Sequence, residues 1–102
     1  MLFRSAPGTG DDGWLAAVRA LCDEARALAL DAVVVSLGLD AAATDPESPL
    51  CVTEAGYRAA GRLVGALGPA VLIQEGGYDL ASLGGLAVAA LSGAAEGADA
   101  SS

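Results

Sequence analysis

Histidine is missing from this chain, and so is lysine, since its five basic residues are all arginines scattered between Arg4 and Arg62. Without histidine the sequence lacks the side chain that most often moves protons as a general acid or base. A phosphate backbone demands clustered cations, so scattered arginines under a net charge of -8 argue against a nucleic-acid partner. Net negative charge has solubility as its ordinary meaning. Cysteine is sparse as well. Cys22 and Cys51 show no metal-ligand spacing and follow no secretory signal, which argues against a disulfide scaffold. They read as small apolar residues in a reducing cytoplasm. Long hydrophobic runs are lacking too. The longest, residues 83–95, is broken by glycine and serine and too short for a bilayer, so a soluble chain with no membrane partner is expected.

What remains is rich in Ala, Gly and Leu, at a length suited to one domain. Residues 1–13 read as a Gly- and Pro-containing loop. Asp11 or Asp12 can cap a helix running to about Leu30, because a carboxylate accepts from free first-turn N–H groups. Along it Trp14, Val18, Leu21, Cys22, Ala25 and Leu28 recur at helical spacing, opposite Arg19, Asp23 and Arg26. A second helix, capped by Thr53 and stopped by Gly68-Pro69, carries Tyr57, Ala60, Val64 and Leu67 on one face. Glu54 and Arg58 stand in the favourable i,i+4 order for an ion pair on it. A third helix is expected over residues 80–92, with Gly93 past its end and 94–102 as a flexible acidic tail.

Between the helices lie two apolar runs, Ala32-Val33-Val34-Val35-Ser36-Leu37 and Ala70-Val71-Leu72-Ile73-Gln74. Neither alternates with polar residues, which is the pattern of strands buried on both faces in a parallel sheet. The expected order is α-β-α-β-α, an α/β unit built on a parallel βαβ crossover. Such a sheet leaves two open edges of unpaired N–H and C=O groups, an aggregation hazard. The sequence therefore reads as part of a larger sheet, prone alone to poor solubility or to self-association through those edges.

In open parallel sheets, ligands bind beyond the carboxyl ends of the strands. Ser36-Leu37-Gly38-Leu39-Asp40 follows the first strand and Glu75-Gly76-Gly77-Tyr78 the second, and a right-handed crossover sets both on one edge. Asp40 offers a carboxylate that serves as a zinc ligand or caps a turn. Tyr78 offers a phenol that donates to a developing oxyanion or plugs a loop. Gly76 and Gly77 let backbone approach a ligand, or supply positive φ for a turn. Gly8-Thr9-Gly10-Asp11-Asp12-Gly13 spells a dinucleotide fingerprint, but no strand precedes it and its aspartates would repel a pyrophosphate.

Together, Pro7-Gly8-Thr9-Gly10-Asp11, Ser36-Leu37-Gly38-Leu39-Asp40, Asp45-Pro46, Leu50-Cys51-Val52-Thr53 and Glu75-Gly76-Gly77-Tyr78 resemble, in order and spacing, the histone deacetylase and acetylpolyamine amidohydrolase superfamily. The resemblance runs from about Pro7 to Gly93 and is nearest to the bacterial and class II branches. It implies the arginase/deacetylase three-layer fold, with residues 1–93 as the C-terminal part of the domain. It implies Asp40 as the last zinc ligand, Tyr78 as the group polarising the acyl carbonyl, and Gly76 and Gly77 as lining of the acyl channel. Polyamine-selective relatives carry an acid after the Asp-Pro pair, so Glu47 is either a rim group attracting a cationic acylated amine or an exposed loop glutamate. The implied cofactor is zinc and the implied substrate an acylated lysine, polyamine or other amine. The family's other zinc ligands and its histidine pair have no counterpart here, so the chain alone is expected to be inactive and to need the N-terminal part of the domain. The rival reading is a non-catalytic α/β module docking its sheet edges on a partner chain.

Overall fold

The computed structural model describes residues 5–101, so residues 1–4 of the expected opening loop and residue 102 of the tail lie outside the described residues. The elements follow as α1 (Asp11–Ala27), β1 (Val33–Gly38), a 3-10 turn (Leu39–Ala41), α2 (Glu54–Gly65), β2 (Ala70–Glu75) and α3 (Leu80–Ser101). The α-β-α-β-α order expected from sequence is thus the observed one. The strands pair in parallel, with Val33 opposite Ala70 and Gly38 opposite Glu75. This register sets the two carboxyl ends side by side, which is what brings their loops together.

Neither aspartate caps α1. Gly10 holds the N-cap without a side-chain hydrogen bond. Asp11 instead reaches across to α2, where its carboxylate accepts from the Thr53 amide at 2.8 Å and from the Thr53 hydroxyl. Thr53 in turn caps α2, accepting from the Gly56 amide at 3.2 Å. The helix α1 ends at Ala27, before the expected Leu30, and Leu28 is 69% exposed with no layer to pack on.

Burial of the strands on both faces is corrected. Val33, Val35, Leu37 and Leu72 face the helices and are half-buried, whereas Val34, Ser36, Val71 and Ile73 are exposed. One side of the sheet is bare. The chain exposes 5878 Å², against about 5,200 Å² for a folded monomer of its mass, consistent with an uncovered layer. Among the described residues no strand flanks either edge.

The third helix is longer than expected. Gly93 does not stop it, and residues 94–101, expected as a tail, continue α3. The reason is that Gly93 and Gly97 are contact points. A Cβ at either would collide with the Arg58 or Arg62 carbonyl, and one at Gly61 or Gly65 with the Ala90 or Ala94 carbonyl. Backbone thus lies on backbone along the α2–α3 crossing. The close approach also redirects Arg58, which bonds Glu96 on α3, as Arg62 does at 2.6 Å, rather than forming the expected pair with Glu54. Both guanidiniums hold the Glu96 carboxyl below its usual range, Arg58 most. At 22 residues α3 is, by length and composition, apolar enough to cross a bilayer, contrary to expectation. Much of that apolarity is alanine applied to the helix crossing, with Ala89 and Ala90 buried.

The core is displaced toward the carboxyl ends of the strands. Leu39, Ala42 and Val52 from the first loop meet Tyr57 from α2 and Leu86, Ala89 and Ala90 from α3. The ground beneath both loops is therefore the best-packed part of the molecule.

Candidate functional site at the carboxyl ends of the strands

An apolar cleft of about 360 Å³ between α1, β1 and α2 is lined by Trp14, Val18, Val35, Leu37, Val64 and their neighbours. It brings no carboxylate or hydroxyl of the predicted site into contact with a ligand. The residues expected from sequence to form the site lie instead on the loop rim.

Asp40 sits in the 3-10 turn, exposed, while its neighbour Leu39 is fully buried and pins the turn to the core. Tyr57 braces the same turn from below. Its hydroxyl donates to the Gly38 carbonyl at 2.8 Å, and its ring meets Trp14 edge-on with centroids 5.1 Å apart. Burial pushes the Tyr57 hydroxyl up to about 12, opposed by a hydrogen bond from Ala41 and helped by the charges of Asp40 and Asp45. A phenol that holds its proton more tightly folded than unfolded gives stability that is complete below about pH 10. That stability is lost as pH climbs toward 12. Alkaline unfolding followed by circular dichroism should show this loss, and Tyr57→Phe should flatten it while lowering neutral stability by about 1 kcal/mol. An unchanged alkaline limb in the variant would contradict the assignment.

The second loop meets the first at Asp40. Gly76 (φ 67°) and Gly77 (φ 102°) both occupy the left-handed region, where other residues are strained. A Cβ on Gly76 would stand 3.0 Å from the Asp40 Cγ, and one on Gly77 would stand 2.6 Å from the Leu83 Cδ1. The glycines therefore supply the positive φ considered from sequence, and Gly76 also lets the second loop lie against the Asp40 side chain. Tyr78 follows and is 59% exposed.

Asp45 was legible only as half of a turn signal. It is 7% exposed, and its carboxylate accepts from the Glu47 amide at 2.8 Å and from the Tyr78 amide at 2.7 Å. The first contact is local, as an Asp-Pro turn predicts. The second spans to the other loop, and nothing in the chain's local pattern announces it. Glu47 itself is exposed on the rim. The fingerprint-like glycine segment is consumed structurally, with Gly8 donating to the Pro49 carbonyl and Thr9 accepting from the Cys51 amide.

Zinc tests poorly against these residues alone. Among the described residues no three His, Cys, Asp or Glu side chains are grouped to hold a metal. Asp40 is a single exposed carboxylate, and no catalytic step through a metal follows from this chain by itself.

The family model described as the histone deacetylase domain matches residues 2–94. The chain is 49% identical over 61 residues to the acetylpolyamine amidohydrolase of Burkholderia pseudomallei, covering 59% of this chain and 18% of that protein. It is 39% identical over 89 residues to acetylpolyamine amidohydrolase 1 of Pseudomonas aeruginosa, covering 86% and 26%. Among solved structures it superposes on an acetylpolyamine aminohydrolase from Burkholderia pseudomallei with a TM-score of 0.86 and 34% identity, covering 93% of this chain and 28% of that one. The HDA15 HD domain follows, with a TM-score of 0.77, 31% identity and coverage of 93% and 31%. The chain thus spans about a quarter of the length of such relatives, with the helix–sheet arrangement of the deacetylase fold. Loops, sheet register and likeness agree, and the chain belongs to the histone deacetylase domain family, of which it represents a short portion.

Proposed function

We propose that this chain is the C-terminal part of a zinc-dependent deacetylase that hydrolyses the amide of an acetylated polyamine, lysine or similar acylated amine. The observation that carries the reading is the meeting of the Asp40 and Gly76 loops over a shared sheet edge. Asp40 contributes one of the three protein ligands that a catalytic zinc normally takes, the others coming from the rest of the domain. Tyr78 donates its phenolic proton in a hydrogen bond to the acyl oxygen as negative charge develops there. Gly76 and Gly77 line the acyl channel with backbone, and Glu47 draws a cationic amine to the rim. The rest of the domain covers the bare face of Val34, Val71 and Ile73, and the setting is cytoplasmic.

The test is a complete domain in which residues 7–93 of this chain replace the matching segment of the Burkholderia pseudomallei amidohydrolase. That graft should release acetate from acetylated diamines and lose the activity on zinc removal, whereas the 102-residue chain should release none. A folded, zinc-loaded graft without turnover would defeat the reading, and so would turnover by the chain alone. The bare sheet face favours one rival, a non-catalytic module docked on a partner chain. A stoichiometric complex with an unrelated protein, together with an inert graft, would decide for it.

A further inference from the structure

We infer that Asp45 is the positioning residue for Tyr78, fixing the second loop beside the Asp40 turn through the Tyr78 backbone amide. The inference rests on the proposed role of Tyr78 and adds to it the group that fixes where that side chain starts. Tyr78 cannot place itself. The residue is 59% exposed and gains little from packing. The two residues before it are glycines in the left-handed region, the most permissive backbone the chain has at this rim. After it, α3 begins at Leu80, with the Asp79 carboxylate accepting from the Ser82 hydroxyl at 2.7 Å. Tyr78 is thus the joint between a left-handed glycine turn and a helix.

Asp45 closes that joint. Its carboxylate is buried and accepts two amides, Glu47 at 2.8 Å and Tyr78 at 2.7 Å. Its own backbone is wired too, the amide donating to Ala42 at 3.0 Å and the carbonyl accepting from Ser48 at 3.3 Å. Ala42 is in the buried core, so the anchor is tied to the best-packed part of the molecule. An ionised acceptor makes a stronger bond to an amide than a neutral one does. Asparagine at this position keeps the shape but turns one of the two acceptors into a donor facing an N–H group.

Asp45→Asn in the grafted domain should lower kcat about 10- to 100-fold, as small displacements of reacting groups do. KM should stay within about two-fold and zinc content should be unchanged. Two readouts separate positioning from mere stability. In a Tyr78→Phe background the same substitution should cost almost nothing in kcat, because its effect passes through the phenol. In hydrogen exchange the Tyr78 amide should lose at least about tenfold protection while amides of β1 and β2 keep theirs. Equal loss of kcat in both backgrounds would overturn the inference, as would an unchanged Tyr78 amide. Should the unsubstituted graft prove inert, the functional reading fails separately, and the amide measurement alone decides the anchor. Asp45→Glu, which keeps the charge but lengthens the side chain, should restore part of the protection and serves if Asn does not fold.

Discussion

Alanine at Gly93 is expected to destabilise the chain, while alanine at Gly84 on the same helix stabilises it. Helix propensity favours alanine over glycine by about 1 kcal/mol at both positions. The difference lies in what a methyl group would meet. At Gly84 there is nothing within 4 Å, whereas at Gly93 the new Cβ would overlap the Arg58 carbonyl and backbone of α2. Backbone cannot rotate away as a side chain can, so the helices must separate. Separation loosens the contacts of Ala89 and Ala90 and strains the clasp of Arg58 and Arg62 on Glu96. Overpacking of this kind costs roughly 1–3 kcal/mol or more, a large share of the stability of a small domain. Thermal melting by circular dichroism should show Gly93→Ala lowered and Gly84→Ala raised, and Gly93→Leu without a cooperative transition. A rise in melting temperature for Gly93→Ala would mean the two backbones do not touch. Because glycines on both helices share the crossing, alanine at Gly61 should act in the same direction.

In the grafted enzyme, Tyr78→Phe should cut kcat by roughly 10²–10³-fold, the usual cost of removing one donor to a developing oxyanion. KM and zinc content should stay close to the parent, since the phenyl ring keeps its volume and Tyr78 is not the proposed ligand. Asp40→Ala should act differently, abolishing activity together with bound zinc. The contrast is the informative part. Loss of zinc in the tyrosine variant, or full zinc with full turnover in the aspartate variant, would reverse or remove the proposed roles. The geometry supports the division of labour, because Asp40 rides on a turn pinned by buried Leu39 and braced by Tyr57. Tyr78 instead hangs from the Asp45 carboxylate after two glycines in the left-handed region.

The elements most legible in the sequence were those with one-sided local signals. Thr53 caps α2 as its position suggested, and the two β-branched runs became β1 and β2 within a residue at each end. Gly93 shows where local reading fails. A glycine after an apolar helix usually stops it, but here the absence of a side chain serves contact with α2, a partner lying 28 or more residues earlier in the chain. The unbroken apolar strands likewise suggested two covered faces, yet covering depends on layers beyond these residues. Asp45 was visible as turn chemistry only, because its bond to the Tyr78 amide joins positions 33 residues apart.

By itself the sequence determined the order of elements, the sheet edge on which Asp40 and Tyr78 gather, and the family, since these follow from periodicity, caps and short words of residues. The tertiary structure decided how far α3 runs, which acid Arg58 binds, which sheet face stays bare, and that Asp45 grips the second loop. Those outcomes depend on which distant backbones come within touching distance, a quantity that no local spacing encodes.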